Sequence, residues 1–314
     1  MKKIFLILSL ILALTGCNKN QYYSKNLFYM DTVINIKIYD NDKNKVEQAF
    51  AEIEKIYSKY ENIVNFYDQN SELYKINNNS NESMELSSEL AQLVSLGLEW
   101  YDKSNGLLNI NIGSVTKVWH DFRNGLISFP NIELLDIIDI DINNIKLVDN
   151  KISGNFEIDL GSFTKGLVTE KAGNYLESIG LNYYIINAGG NVKVGKSYKG
   201  YYSIGIKSPN DNTNFYIVKG EDISVVTSGG YERFYEYDGV LYHHIIDPKT
   251  KYPANNMKSV TVIGNDSTLC DLLSTTLFLM SIDEGKEFIK DYDVDVIWFS
   301  LDDQIIKSDG FSYE

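Results

Sequence analysis

Cysteine and histidine are scarce in this chain of 314 residues, which contains two cysteines and three histidines. After the first seventeen residues no apolar run approaches the ~18 residues of a membrane-spanning helix, so we do not expect the mature chain to cross a bilayer. The sequence has no G-x-G-x-x-G pattern, which leaves a Rossmann dinucleotide site unsupported. It shows no internal repeat, and its formal net charge of −14 argues against nucleic acid as the main partner.

The N-terminal segment MKKIFLILSLILALTGC has the pattern of a secretory leader. Lys2 and Lys3 precede an apolar stretch, residues 4–14, that is too short to span a bilayer comfortably. The segment ends in LTGC, which resembles a bacterial lipobox, so we expect Cys17 to be lipidated and to become the new N-terminus. An ordinary cleaved signal peptide is the alternative. The sequence thus predicts a protein lipid-anchored to the extracytoplasmic face of the cell membrane, with residues 18–27 as a polar tether.

Removal of Lys2 and Lys3 takes the formal charge from −14 to −16, since 27 basic residues then face 43 acidic ones. Such an acidic surface also argues against anionic lipid as the main partner, and an anionic ligand would need a bound cation or backbone N–H groups. Cys270 lies in an apolar stretch and is predicted to be a buried small hydrophobe, so no internal disulfide framework is expected. Residues 28–314 can form one domain or two subdomains.

Hydrophobic periodicity predicts an α+β fold with mixed, largely antiparallel sheets and packed helices. Helical spacing appears at residues 45–60, 88–103 and 164–179, and a further helix is expected from 268 to about 280 with Asp266 or Ser267 as its cap. The segments FEIDL (156–160) and YYIINA (183–188) flank the third helix and suggest a β-α-β unit. Further strands are predicted at 32–40, 192–206, 215–218, 223–227 and 259–264, with a hairpin that turns at Asp238-Gly239.

GGNVKVGKS, residues 189–197, contains the literal P-loop spacing G-x-x-x-x-G-K-S. That motif works only if a helix follows the loop directly, because the helix N-terminus and loop amides hold the phosphates. The residues that follow alternate like a strand and include two glycines and a proline, so we reject a P-loop here.

Three other segments are better placed to carry chemistry. DLGSFTKG (159–166) combines a strand end, a small-residue turn and a lysine, which suits a phosphate but also suits a plain turn. The two glycines of INAGGN (186–191) permit the close approach of a ligand, although the same pattern can form a plain β-bulge. Asp271 and Thr275 lie four apart on one helix face, where they can bind a hard cation such as Mg²⁺. In the alternative interpretation, Asp271 only makes a favourable contact with the helix dipole, and the Thr275 hydroxyl bonds to the backbone of its own helix.

Two of the three histidines are adjacent in YHHIIDPKTKYP, residues 242–253. Neighbouring residues on a strand point to opposite faces, so His243 and His244 are not expected to share one metal. We predict one working histidine and one neighbour whose role stays open.

The segments MDTVINI, SELYKIN, DLGSFTKG, NAGGN, TSGGYERF, YHHIIDPKTKYP and SVTV…DLLSTTLF follow one another in the order that resembles the ApbE family of flavin transferases, from about Met30 to Met280. The resemblance implies an ApbE-like fold and an FAD:protein FMN transferase. In the reaction that the resemblance implies, a Thr or Ser hydroxyl of an acceptor protein attacks Mg²⁺-bound FAD at the FMN phosphorus, AMP leaves, and FMN becomes joined to the acceptor.

The resemblance also assigns roles residue by residue. It implies that the metal is held by Asp271, Thr275 and the backbone carbonyl of Thr164, and that His244 is the general base. FAD contacts are implied for Met30, Tyr67, Asp159, Lys165, Ala188, Gly189, Gly190, Ser228 and Gly229. The chain departs from the family pattern at Thr164, where Ala is usual, at Asp31 and Lys251, where Gly is usual, and at Asn65 and Asn109, where Ser and Asp are frequent.

Two other functions remain compatible with the sequence. One is a Mg²⁺-dependent FAD pyrophosphatase, in which water replaces the acceptor hydroxyl. The other is a lipoprotein that binds FAD without chemistry. A hinged solute-binding protein is disfavoured by the specific motifs. The sequence leaves open which acceptor is used, the oligomeric state and the metal used in vivo.

Overall fold

The computed structural model describes residues 21–79, 82–211 and 213–313. The predicted leader and Cys17 lie outside this part of the chain. Within it, no helix combines the length and the apolar character required to cross a membrane.

Eight α-helices are assigned in the described part of the chain. Several begin at short polar residues that cap them: the Asp42 side chain accepts a hydrogen bond from the Lys45 N–H, and Asp266 accepts one from the Leu269 N–H. The helices are α1 Lys43–Val64, α2 Glu72–Asn77, α3 Ser88–Lys103, α4 Gly113–Arg123, α5 Ile132–Asp136, α6 Thr164–Ser178, α7 Ser267–Phe278 and α8 Ile282–Phe288. Short 3-10 turns occur at Ile110–Ile112, Ile142–Asn144 and Ile289–Asp291.

The strands form one large sheet and four small ones. They are β1 Tyr22–Tyr29, β2 Thr32–Tyr39, β3 Met84–Glu85, β4 Lys146–Val148, β5 Lys151–Ser153, β6 Tyr184–Ala188, β7 Asn191–Val194, β8 Tyr202–Lys207, β9 Asn214–Gly220, β10 Ile223–Gly229, β11 Phe234–Tyr237, β12 Val240–His243, β13 Ile246–Asp247, β14 Tyr252–Pro253, β15 Ser259–Gly264, β16 Asp295–Phe299 and β17 Ile305–Lys307.

The large sheet has eight strands in the order β1-β2-β6-β7-β10-β15-β16-β17, and every neighbouring pair is antiparallel. The small sheets are β3-β5-β4, β8-β9, β11-β12 and β13-β14.

The two faces of the large sheet bury different partners, as the alternation of side chains along a strand requires. In β10, Val226 packs with the helix side, where α1, α6 and α7 cover the sheet. Ile223 and Val225 point the other way and pack with Ile204 and Val218 of the β8-β9 hairpin. A third cluster joins α4 to the end of β12, where the Trp119 and Tyr242 rings stack with centroids 5.5 Å apart.

The predicted α+β class with largely antiparallel sheets is confirmed, as are the helices α1, α3, α6 and α7. The predicted hairpin turn is confirmed as well, and its residues Asp238 and Gly239 have φ values of +50° and +74°. The rejected P-loop is indeed no P-loop: β7 occupies the middle of its sequence, and β8 is the next regular element. The predicted strand 192–206 is split between β7 and β8, which belong to different sheets.

Two predictions were wrong. FEIDL is not a strand: the Asp159 N–H donates to the Ile110 carbonyl, the Glu157 carbonyl accepts from the Gly113 N–H, and side-chain amides satisfy other groups. The β-α-β unit therefore does not exist. The predicted tether, residues 18–27, extends too far, because residues 22–27 belong to β1. That strand pairs with the otherwise open edge of β2.

Candidate active site

A cleft of about 660 Å³ opens at one end of the large sheet. Its walls include the turn between β1 and β2, the turn after β6 and the end of β10 on one side, and α4 with Tyr67 on the other. Eleven of the thirteen residues assigned by resemblance to catalysis, FAD or metal line it: Met30, Tyr67, Asp159, Thr164, Lys165, Gly189, Ser228, Gly229, His244, Asp271 and Thr275. The fold thus gathers residues that are up to 245 positions apart, from 30 to 275.

Asp271 and Thr275, one turn apart on α7, both face the segment that leads into α6. The Gly166 N–H donates to Asp271 Oδ2 at 2.7 Å, and Thr275 Oγ1 donates to the Ser162 carbonyl at 3.1 Å. A Cβ at Gly166 would lie 2.4 Å from the Asp271 Cβ, so glycine is required for this close approach of the two helices. The Asp271 carboxylate and the Thr275 hydroxyl therefore both contact the segment 162–166, at and just before the start of α6.

Asp271 is a buried carboxyl group, only 6% exposed. Burial raises its pKa to about 6, against the partly compensating effects of Lys165 and the Gly166 N–H. Among the described residues no three His, Cys, Asp or Glu side chains converge on a metal position. The candidate donors are instead one carboxylate plus neutral oxygens, which is the oxygen chemistry that Mg²⁺ uses. A cation fits here because it would compensate the buried charge.

His244 follows β12 directly and lines the same cleft. Its Nδ1 is buried and has no hydrogen-bond partner among the described residues. Burial, together with the nearby charges of Arg233 and Lys165, lowers the pKa of His244 well below 6.5. The side chain is therefore neutral at physiological pH.

His243 has a structural role, which answers the question that the sequence left open. It is buried and packs edge-on against Phe278. Its Nε2 lies 2.7 Å from the Ala254 carbonyl, and its Nδ1 accepts from the Ile245 N–H at 3.2 Å. These two contacts require a proton on Nε2 and none on Nδ1, so the ring is held neutral.

Asp159 orders the turn that precedes α6. Its Oδ1 accepts from the Gly161 N–H and its Oδ2 accepts from the Thr116 hydroxyl, both at 2.8 Å. The carboxylate therefore connects this turn to α4, in addition to lining the cleft. Thr116 was missed by the sequence analysis because nothing in its local pattern distinguishes it.

Two arginines of the cleft were also missed. Arg233 donates to the carbonyls of Met30 and Asp31 at 3.2 and 3.3 Å, and so connects the β10–β11 segment to the β1–β2 turn. Arg123, at the end of α4, is partly buried, and desolvation lowers its pKa. Arg233 lies within the quoted segment TSGGYERF, which could have singled it out.

Tyr67 forms a stacked pair with the third histidine. The rings of Tyr67 and His120 have centroids 4.0 Å apart and planes inclined by 23°. Tyr67 is 45% exposed, so its other face is available to a flat ligand.

The turn after β6 approaches β2 closely. Gly189 has φ +57°, and a Cβ there would lie 2.0 Å from the Thr32 hydroxyl oxygen. Gly189 lines the cleft, whereas Ala188 is buried in the core at 1% exposure and Gly190 bonds through its carbonyl to the Thr227 N–H. Ala188 and Gly190 therefore shape the turn and do not line the cleft, and their contact with FAD stays a prediction.

The departures from the family pattern have local explanations. Asp31 and Lys251 have φ values of +54° and +60°, where glycine is unstrained. Asp tolerates this region. Lys251 donates through Nζ to the carbonyls of Asp136 and Ile138 at 2.6 and 2.8 Å. The Asn65 side chain accepts from the Tyr67 and Asp68 N–H groups, which holds Tyr67 at the cleft.

Asn109, the other departure, is a buried residue of the wall that faces the sheet. Its amide donates to the Ile140 carbonyl at 2.9 Å, and its Oδ1 accepts from the Asn111 N–H at 2.9 Å. Asn109 therefore ties the segment before α4 to the 138–141 loop.

Fold and cleft together define a mixed α+β protein with a ligand-sized cleft at the end of an antiparallel sheet. A family model described as the ApbE family matches residues 30–298, so the chain belongs to the ApbE family. A second model, described as a prokaryotic membrane lipoprotein lipid attachment site, matches residues 1–18 and supports the predicted lipoprotein leader.

The chain is similar to curated proteins named FAD:protein FMN transferase. That of Klebsiella pneumoniae strain 342 is 29% identical over 308 residues, covering 92% of each chain. That of Treponema pallidum strain Nichols is 26% identical, covering 92% of this chain and 87% of its own length.

Solved structures have the same fold. An ApbE protein from Thermotoga maritima has a TM-score of 0.85 and 26% identity, covering 92% of this chain and 97% of that one. The flavin transferase ApbE from Vibrio cholerae has a TM-score of 0.81 at 24% identity, covering 93% and 98%.

Proposed function

We propose that this protein is an FAD:protein FMN transferase that joins FMN to a Thr or Ser hydroxyl of an acceptor protein and releases AMP. The observation that carries the proposal is the cleft itself, in which a buried Asp271 beside Thr275 and Lys165 shares one cavity with a neutral His244. Family membership and the names of the curated relatives support it. We assign the activity to one catalytic domain, because a single sheet extends from Tyr22 to Lys307.

The cleft has the volume expected of a small-molecule site. We assign the flavin ring to the exposed face of Tyr67, and the pyrophosphate to the side where Lys165 and the first turn of α6 lie. Met30, Ser228 and Gly229 would then meet the adenosine end. Asp159 supports this arrangement indirectly, since it connects the turn before α6 to Thr116.

The resident metal is proposed to be Mg²⁺, held by Asp271, Thr275 and the backbone carbonyl of Thr164. When bound, it neutralises charge on the pyrophosphate oxygens, which is the main requirement for breaking that bond. Lys165 contributes a second positive charge to the same region, and the raised pKa of Asp271 shows how unfavourable its carboxylate is without a cation.

His244 is proposed as the general base. Its Nε2 would take the proton from the acceptor hydroxyl as that oxygen bonds to the FMN phosphorus and the bond from phosphorus to the AMP oxygen breaks. Proton removal of this kind contributes about 10²–10⁴-fold to a rate. The lowered pKa keeps the imidazole in its unprotonated, competent form at physiological pH.

The acceptor is proposed to be an extracytoplasmic or membrane-bound redox protein with a Thr- or Ser-containing flavinylation motif. The lipid attachment match supports an enzyme anchored at the membrane on its extracytoplasmic face. No nucleic acid is needed by this chemistry.

The decisive experiment is mass spectrometry of a folded acceptor domain after incubation with the full chain, FAD and Mg²⁺. An adduct with the mass of FMN on a Thr or Ser is the expected result, and it should be lost in His244→Ala. Steady release of FMN and AMP without an acceptor would instead indicate a pyrophosphatase. FAD recovered intact after long incubation would reject catalysis altogether and leave a flavin-binding lipoprotein.

A further inference from the structure

A cluster of tyrosines lies at the end of the large sheet where β1 begins. We call this the tyrosine surface, and it comprises Tyr22, Tyr39, Tyr183, Tyr198, Tyr201 and Tyr202. The rings of Tyr183 and Tyr198 stack at 3.9 Å with an interplanar angle of 1°, and Tyr39 contacts both Tyr22 and Tyr202, at 5.6 and 6.1 Å between centroids. Tyr201 follows in the same loop, whose Ser197 donates to its carbonyl.

The tyrosine surface is only partly covered by the rest of the protein. Tyr22, Tyr198 and Tyr201 are 56%, 52% and 44% exposed. Tyrosine places an apolar ring beside a hydroxyl, a combination that is favoured where a bilayer meets water. A cluster of such rings on an otherwise acidic protein therefore indicates an interaction surface.

The charges beside the tyrosine surface are mixed. Lys196 and Lys199 are exposed in the loop that carries Tyr198. Burial, with the neighbouring Tyr183 and Asp40, raises the pKa of Tyr198, and Glu221 accepts from the Ser197 N–H at 2.7 Å. Lys219 adds a third basic group, its Nζ 5.9 Å from the centre of the Tyr201 ring, and Asp222 lies near Glu221 and Lys196. Three basic and three acidic groups give no strong preference for anionic partners, which matches the interfacial region of zwitterionic lipid.

The length of the chain before β1 places this surface at the membrane. Only residues 18–21 separate Cys17 from Tyr22, and five Cα–Cα steps span at most ~18 Å even when fully extended. If Cys17 carries the lipid, Tyr22 must stay within that distance of the bilayer surface.

The cleft lies at the opposite end of the same strands. β1 runs from Tyr22 to Tyr29 and is followed by Met30, which lines the cleft, and the eight steps from Tyr22 to Met30 cover ~27 Å in an extended strand. β6 runs in the opposite sense to β2, from the tyrosine end at Tyr184 to the cleft end at Ala188. The sheet thus separates the anchored end from the cleft.

We propose that the tyrosine surface lies on the interfacial region of the bilayer and orients the anchored protein with its cleft directed away from the membrane. Lipid attachment alone would let the domain tumble about its anchor. Contact through the exposed tyrosines would restrict that motion and hold the cleft up to ~27 Å from the lipid. The inference depends on lipidation of Cys17 and goes beyond the proposed transferase activity, which it does not require.

The test uses the full lipidated chain in phosphatidylcholine vesicles, with the lipid on Cys17 verified by mass spectrometry. A fluorophore is attached to Lys199→Cys, beside the tyrosine surface, or to Asp238→Cys, at the tip of the β11-β12 hairpin near the cleft. Native Cys270 is buried and stays unlabelled. Headgroup spin-labelled lipid then reports which probe lies at the bilayer.

We expect quenching at position 199 and little at position 238. The triple variant Tyr22→Ser, Tyr198→Ser, Tyr201→Ser should reduce quenching at 199 to the level at 238, whereas the matched control Tyr237→Ser, an exposed hairpin tyrosine, should leave it unchanged. Four outcomes would each overturn the proposal. They are equal quenching at both positions, quenching that survives the triple variant, quenching only when anionic lipid is added, and absence of lipid on Cys17. Flavin transfer measured in detergent is independent of all these outcomes.

Discussion

Replacement of Asp271 by asparagine should stabilise the metal-free protein while it removes Mg²⁺-dependent turnover. Asp271 is buried, and its environment raises its pKa from 3.8 to about 6. The folded protein therefore binds a proton at Asp271 more tightly than the unfolded chain does. Asparagine keeps a carbonyl oxygen that can accept from the Gly166 N–H, but it carries no charge to desolvate.

The expected magnitude follows from the difference between the two pKa values. Between pH 3.8 and about 6 the folded state holds the proton and the unfolded state does not, so the free energy of unfolding falls as pH rises through this window. About two pKa units at 1.36 kcal/mol each give a loss of about 3 kcal/mol, complete above pH 7. Asp271→Asn should escape this loss.

The assay is urea unfolding in EDTA at pH 5 and pH 8. We expect the stability advantage of Asp271→Asn over the natural protein to be about 1.6 kcal/mol at pH 5 and to approach about 3 kcal/mol at pH 8. An exposed carboxylate provides the matched control: Asp102→Asn, in the last turn of α3, should change stability by less than about 0.5 kcal/mol at either pH. Mg²⁺ should stabilise the natural protein and not Asp271→Asn.

An advantage that is the same at both pH values would refute the reasoning, because the effect would then not arise from ionisation. A variant less stable than the natural protein at pH 8 would show that Asp271 forms contacts worth more than its desolvation costs.

Three other substitutions test the remaining parts of the site. His244→Ala should leave FAD affinity nearly unchanged and lower kcat by about 10²–10⁴-fold. His243→Ala should instead lower the free energy of unfolding by about 1–3 kcal/mol, because its buried contacts are lost. Kinetics and urea unfolding separate the two effects, and equal losses of kcat in the two variants would contradict the assignment. Thr275→Val should raise the Mg²⁺ concentration needed for half-maximal activity while Thr275→Ser should not, and indistinguishable Mg²⁺ titrations would remove the hydroxyl from the site. Gly166→Ala places a Cβ 2.4 Å from the Asp271 Cβ, so α6 and α7 must separate, at a cost of about 1–3 kcal/mol in urea unfolding; an unchanged midpoint would show that the contact is loose.

Local sequence patterns were sufficient for four of the eight helices in the described part of the chain and for five of the eight strands of the large sheet. The helical spacing in α1 and α3, the Asp238-Gly239 turn and the capping residue Asp266 act over a few neighbouring positions, so their effect can be read without knowledge of the fold. The strand prediction for FEIDL was wrong, because its backbone groups bond to Ile110, Gly113 and side-chain amides that are distant in sequence. Residues 22–27 failed for a related reason, since the partner that makes them a strand is the edge of β2.

The candidate site divides in the same way. Linear motifs located Lys165, Asp271, Thr275 and His244 and indicated the family. They did not locate Arg123, whose local sequence is unremarkable and which reaches the cleft only because α4 packs there.

The sequence by itself determined the family, the elements with a strong local pattern and which residue types could do the chemistry, because these depend on side-chain identity and on short spacings. Only the tertiary structure decided the state in which those residues work. In the folded protein, the hydrogen bond from His243 Nε2 to the Ala254 carbonyl keeps His243 a neutral packing residue. The fold also lowers the pKa of His244 and raises the pKa of Asp271. Burial and long-range charge set a pKa, and both depend on which distant segments fold against the group.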